Sequence, residues 1–223
     1  MTERLEFADK HAQALAVLKS AELHTGVTPV VQPEVALESD ELVPGGRIAP
    51  GSVISVAGSR MLQYHLLATA SQAGGWVAVV GQADLGVVAL EQAGLELSRV
   101  ALIPNPGGDA GIVCAALLDA MWVVIGSDVS LRDSERRRLA ARARERGTVI
   151  ITSEPWPGAH LTFRVTARNW VGVNQGEGWL KGCHLTVERI GRGSAARPGT
   201  FWVDLGFRSD IGFQAERGRG GVP

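Results

Sequence analysis

An α/β fold is what this sequence predicts: a mostly parallel sheet covered by helices on both faces, extended at its C-terminal edge by antiparallel strands. Three observations carry the prediction. Between Ser52 and Thr152, short apolar runs rich in β-branched residues alternate with segments of helical period, the pattern of strands buried on both faces and joined by crossover helices. Glycines close the helical segments at Gly74, Gly94 and Gly147, where a chain leaving a helix turns most easily. Beyond Pro157 the period changes to two, with Gly-rich turns between segments, as in antiparallel strands with one wet face.

The elements follow in order. Leu5, Ala8, Ala12, Leu15 and Leu18 recur at helical spacing and predict an amphipathic helix over 3–22. The Thr-, Pro- and Val-rich stretch from His24 to Asp40 is an extended connector, so 1–41 stands apart from a core domain of 42–207. In that core, strands are expected at 53–56, 76–80, 100–103, 122–125 and 148–152, with helices at 61–73, 87–93, 110–120 and 132–146. The antiparallel strands are 160–170, 182–190 and 200–205. The Gly/Arg-rich tail, 208–223, reads as disordered.

Composition narrows the function. Of 223 residues, 45% are hydrophobic and 20% charged, and 22 basic against 23 acidic side chains leave a net charge of −1. A basic field over the whole protein is therefore absent, and nucleic acid could be drawn only to a local patch. Cys114 and Cys183 stand far apart without a paired motif, so each reads as a buried thiol. No signal peptide is visible at the start, and no apolar run reaches the roughly 18 residues of a membrane span. A cytoplasmic protein is expected.

One position invites chemistry. A strand, then Ala57-Gly58-Ser59-Arg60, then a helix is where a phosphate-binding loop would stand. Such a loop needs glycines that let backbone N–H groups reach the phosphates, a Lys for their charge and a Ser/Thr hydroxyl for Mg²⁺. Counted from Gly58, those places hold Gln63, Tyr64 and His65. The turn is several residues short, and Arg60 is a planar fork rather than a compact ammonium. After Val123-Val124-Ile125, where a Mg²⁺ carboxylate would follow, stands Gly126, with Asp128 two residues late; after Val80 come Gly81-Gln82-Ala83, with Asp84 just beyond. Lysine, hydroxyl and metal carboxylate are missing together, so the residues imply neither ATP hydrolysis nor a cofactor. Gly58, Ser59 and Arg60 remain as the degenerate loop.

The run from Pro44 to Gly58 and the run Ala70-Ser71-Gln72-Ala73-Gly74-Gly75-Trp76-Val77-Ala78-Val79-Val80-Gly81 resemble the entry of RecA into its core and its next helix and strand. The segment from Arg138 to Gly147, with the apolar strand and Trp156-Pro157-Gly158-Ala159 that follow, resembles the actinobacterial ImuA′ group, degenerate RecA relatives of the ImuA type. The resemblance covers roughly Leu42 to Leu205. It implies a RecA-like fold and a non-catalytic accessory of the DNA-damage-induced mutasome, which supports error-prone translesion synthesis. Its implied partners are an ImuB-like Y-family polymerase relative and, through it, a C-family error-prone DNA polymerase and the sliding clamp. In RecA a long DNA-contacting loop separates the strands matched here by 148–152 and 161–166; Ser153 to His160 are all that connect them in this chain, so filament formation of the RecA kind is not expected. Two other readings stay open, an atypical ATPase using Arg60 or a partner's residue, and a DNA-binding regulator of recombination.

Other candidates concern binding. Arg136, Arg137, Arg138, Arg142, Arg144 and Arg146 form the densest basic segment. It is read either as a solvated face paired partly with Asp133, Glu135 and Glu145, or as a weak DNA or acidic-partner patch. Trp156, on the shortened connection, is expected to be exposed and is a candidate partner anchor. Trp170, Trp179 and Trp202, in or beside the antiparallel part, could line an edge that a partner covers, with Trp179 and Trp202 as candidates. Leu15 and Leu18 are candidates on the N-terminal helix, which could dock on a second copy or a partner or pack on its own domain. The five histidines offer no catalytic arrangement and read as structural or surface residues.

Overall fold

The computed structural model describes residues 42–44, 47–174, 177–191 and 198–206. The expected N-terminal helix with Leu15 and Leu18, its connector and the tail lie outside the described residues. Within them the chain runs β1 (Val53–Ala57), α1 (Arg60–Gln72), β2 (Trp76–Val80), α2 (Val87–Gln92), β3 (Val100–Ile103), α3 (Ala110–Leu117), β4 (Met121–Ile125), α4 (Asp133–Arg146) and β5 (Ile150–Thr152). Three longer strands follow: β6 (Leu161–Asn174), β7 (Glu177–Gly191) and β8 (Gly199–Gly206).

All eight strands share one mixed sheet, in the order β3-β2-β4-β5-β1-β6-β7-β8. The pairs from β3 through β6 are parallel, and β6-β7-β8 are antiparallel. Two apolar clusters sandwich the parallel part. Leu62, Leu66 and Leu67 of α1 and Leu90 of α2 pack on one face with Val77, Val79, Trp122 and Phe163. Cys114 and Leu117 of α3 and Leu139 and Ala143 of α4 pack on the other with Ala78, Val80 and Val123. Each fully buried Leu or Phe among them contributes about 1.5–3 kcal/mol.

The expected helical cover on both faces holds only for the parallel strands. From β6 onward strands are joined by hairpins, and a hairpin lays no helix on the sheet. Cys183, Leu185, Val187, Val203 and Leu205 bury their side chains in the first cluster. On the opposite face of this arm Trp202 and Ile190 are exposed, and His184 stands 3.4 Å from Asp204 across the strand pair. One irregularity matters below. Val165 pairs with Val187 but Ala167 with Thr186, so Thr166 is an extra residue, a β-bulge that shifts the facing of everything after it.

Helix ends are set locally. Ser59 caps α1, its Oγ accepting the Leu62 N–H at 3.2 Å, and Glu135 of α4 accepts the Arg132 N–H at 2.8 Å. α3 stops at Leu117, short of the expected Ala120, and the turn that follows carries Asp119. Among the described residues no helix is long and apolar enough to cross a membrane.

Candidate functional site

Only Gly58 and Ser59 separate β1 from α1, since α1 begins at Arg60. Gly58 has φ of 90°, and a Cβ there would stand 3.3 Å from the Val165 carbonyl oxygen of β6, so glycine is required by conformation and by space. Two residues cannot wrap a phosphate as the longer glycine-rich loop does. Gln63 and Tyr64, at the places of the loop's second Gly and its Lys, lie inside α1 and are buried. The Gln63 Nε2 donates to the Val56 carbonyl at 3.1 Å, and the Tyr64 hydroxyl donates to Gln82 Oε1. Burial pushes Tyr64 up to about 12.

The cations are committed as well. The Arg60 Nη1 meets both oxygens of Asp84 at 2.8 Å. That hydrogen bond holds the Asp84 carboxyl below the usual carboxylate range and raises Arg60. From β6, the Arg168 Nη2 donates to the Gly58 carbonyl, while its guanidinium lies 5.8 Å from the Trp170 ring centre. Together these groups border a cleft of about 490 Å³ between the start of α1 and the β6–β7 pair, with Met61, Cys183 and Leu185 on its apolar wall.

The place after β4 is closed to a metal carboxylate. A Cβ at Gly126 would stand 2.2 Å from the Gly81 carbonyl oxygen and 2.6 Å from Gln82 Cγ. Any side chain there collides with the turn after β2. Asp128 lies two residues on, its carboxylate 3.3 Å from the Ser127 hydroxyl.

The six arginines of α4 differ in their surroundings. Arg142 meets Asp119 through Nε at 2.7 Å and Nη2 at 2.6 Å, and the Arg146 Nε joins at 3.2 Å. Arg136 donates to the Pro155 carbonyl at 2.9 Å and stacks 5.7 Å from the Trp156 ring centre. Arg137, Arg138 and Arg144 are exposed. The principal acid, Asp119, comes from the turn after α3, a pairing that helical spacing within α4 cannot reveal.

Trp156 corrects the expectation of an exposed anchor. It is only 7% exposed and belongs to the second apolar cluster. The connection from Ser153 to His160 folds back on itself, the Ala159 N–H reaching the Trp156 carbonyl at 3.0 Å, which turns the indole inward beneath Arg136. His160 fixes the far end: its N–H donates to the Val53 carbonyl at 2.8 Å, and its Nδ1 accepts the Val53 N–H at 3.0 Å. Trp202 and Trp179, by contrast, are 83% and 78% exposed.

Arg168, Asp119 and the cleft itself escape a reading of the sequence, which offers Trp170 only as part of the antiparallel edge. The Arg-x-Trp spacing places both side chains on one face of a strand, but the bulge at Thr166 breaks the alternation that would tell which face.

The fold and site thus define an α/β protein in which a two-residue turn joins β1 to α1 beside a cleft lined by Arg60, Gln63, Arg168 and Trp170. Residues 41–158, more than half of the chain, match the MT3502 N-terminal domain family, and the chain belongs to that family. It is also similar to Uncharacterized protein Rv3395c of Mycobacterium tuberculosis, with 39% identity over 135 residues. That alignment covers 58% of this chain, which spans 65% of the relative's length. The family match stops within the β5–β6 connection, so the arm carrying Arg168, Trp170 and Trp202 lies beyond it.

Proposed function

We propose that this chain is a RecA-fold accessory protein without ATPase activity, which supports error-prone translesion synthesis in the DNA-damage-induced mutasome through protein contacts in the cytoplasm. The observation that carries the reading is the commitment of the phosphate-loop groups to one another. Arg60 is ion-paired with Asp84, and Gln63 and Tyr64, at the places of the loop's second Gly and its Lys, are buried inside α1, so the short turn offers no ammonium to stabilise a transferred phosphoryl group. The packing of Gly126 against Gly81 supports it, because the metal carboxylate has no room.

The resemblance to the ImuA′ group supplies the partners: an ImuB-like Y-family polymerase relative and, through it, a C-family polymerase and the sliding clamp. The uncovered face of β6–β8, with Trp202 and Ile190 exposed, is the surface we assign to such contacts, since exposed aromatic residues are frequent interface anchors.

Co-expression with the ImuB-like protein, nuclease treatment and size-exclusion chromatography test the contact. The expected result is a stable complex that Trp202→Ala weakens at least fivefold, with no magnesium-dependent ATP turnover by the free chain. Turnover that disappears in Asp84→Ala or Asp128→Ala would favour an atypical ATPase and overturn the reading.

A further inference from the structure

We infer that the cleft at the start of α1, with the β6–β7 strip that continues from it, is a binding track for single-stranded nucleic acid. The inference goes beyond the scaffold reading and does not depend on it.

Four observations point to this ligand. The N-terminus of α1, a helix of 13 residues, opens into the cleft, and the first-turn N–H groups of a helix favour a phosphate. Arg60 and Arg168 border the same space. Each guanidinium carries more N–H donors than its hydrogen bond to Asp84 or to the Gly58 carbonyl uses, so it can hold its present acceptor and a phosphate oxygen together.

Gln63 also borders the cleft, is 1% exposed, and its Oε1 has no hydrogen-bond partner among the described residues. A buried acceptor without a donor is costly. It calls for a ligand that brings N–H or O–H donors as well as an anion, which a nucleotide does through its base and an internal phosphodiester alone does not. Trp170, 46% exposed on the cleft wall, offers a stacking face for a base.

The fourth observation separates a strand from a free nucleotide. The bulge at Thr166 sets Arg168 and Trp170 opposite Leu185 and Cys183, on one face of the arm. Lys181 lies beside them, at a second register shift between Val171 and Val173, its Cγ 2.8 Å from where a Cβ at Gly172 would stand. Trp179, 78% exposed, follows two residues from Lys181. Arg168, Trp170, Lys181 and Trp179 thus follow one another along the arm from the cleft, cations beside indoles, an arrangement suited to phosphates and bases of one strand.

The test is fluorescence anisotropy with a labelled oligothymidylate of about 15 nucleotides, within the span of known single-strand sites. Trp170→Ala should weaken binding roughly tenfold, by loss of one stacked base. Lys181→Ala should lower the slope of log affinity against log salt by about one. Arg137→Ala, on α4, should change neither. Both altered side chains are at least half-exposed or nearly so, and circular dichroism checks that each variant is folded. An abasic oligonucleotide that binds as tightly overturns the stacking role. A free nucleoside monophosphate binding as tightly as the oligonucleotide overturns the track. Equal binding of polyglutamate, weakened equally by Trp170→Ala, overturns it in favour of an acidic protein partner. Unchanged affinity in both arm variants, or loss in Arg137→Ala, also rejects this site.

Discussion

Tyr64 is the single tyrosine of the chain, which makes its ionisation directly observable. Its hydroxyl is buried against Gln82, and burial raises it from 10.0 to about 12. Because the folded value lies above the unfolded one, the stability that depends on the neutral phenol is complete below pH 10 and is lost as pH rises toward 12. Absorbance titration near the tyrosinate band should show Tyr64 ionising close to pH 12 in the native protein and close to 10 in denaturant. A native transition near 10 would mean that the phenol is solvated. The same burial argument covers Cys114, whose thiol is pushed up to about 12; thiol reagents should leave it unlabelled until the protein unfolds. Gly126 tests packing instead. With the Gly81 oxygen 2.2 Å from a built Cβ, Gly126→Ala should cost at least about 3 kcal/mol in urea unfolding, at the upper end of overpacking penalties.

Two short elements hold most of what distinguishes this site. The β5–β6 connection is stapled by His160 to Val53 and by the Ser55 hydroxyl to the Glu154 carbonyl at 3.0 Å, with Trp156 as its buried plug. Trp156→Ala should destabilise by about 3–5 kcal/mol, as for other buried aromatics, whereas Trp202→Ala should change stability by less than about 0.5 kcal/mol; equilibrium denaturation of the two variants decides. The β6 bulge is the second element. Deleting Thr166 should restore regular alternation while Ala167 stays paired with Thr186 and Arg168 with Leu185. Arg168 and Trp170 then keep their face, and the anisotropy assay should register binding as retained. The succession of strands and helices was legible in the sequence because β-branched runs and helical periods are local signals, and so was the shortened Gly58 turn. The burial of Trp156 was not, because prolines on either side suggested an exposed turn while its contacts come from distant helices. Nor was the cleft, whose walls come from β1, α1 and β6 and whose β6 wall falls out of alternation by one inserted residue.

At the scale of the molecule, the antiparallel arm is part of the same body as the parallel sheet. Val187, Val203 and Leu205 share one apolar cluster with Leu66 of α1 and Val77 of β2, although the family match ends before the arm begins. Urea transitions followed by tryptophan emission and by far-ultraviolet circular dichroism should therefore coincide. Two separated transitions would show that the arm folds apart from the sheet that carries the site. One consequence of this joint packing concerns variation rather than stability. Where the backbone of Gly81 lies against Gly126, no single substitution can place a carboxylate, because every side chain meets the same oxygen. The turn after β2 would have to withdraw first, and with it Gln82 and its bond to Tyr64. The turns after β2 and β4 are therefore bound to change together or not at all, whatever the surfaces around them do.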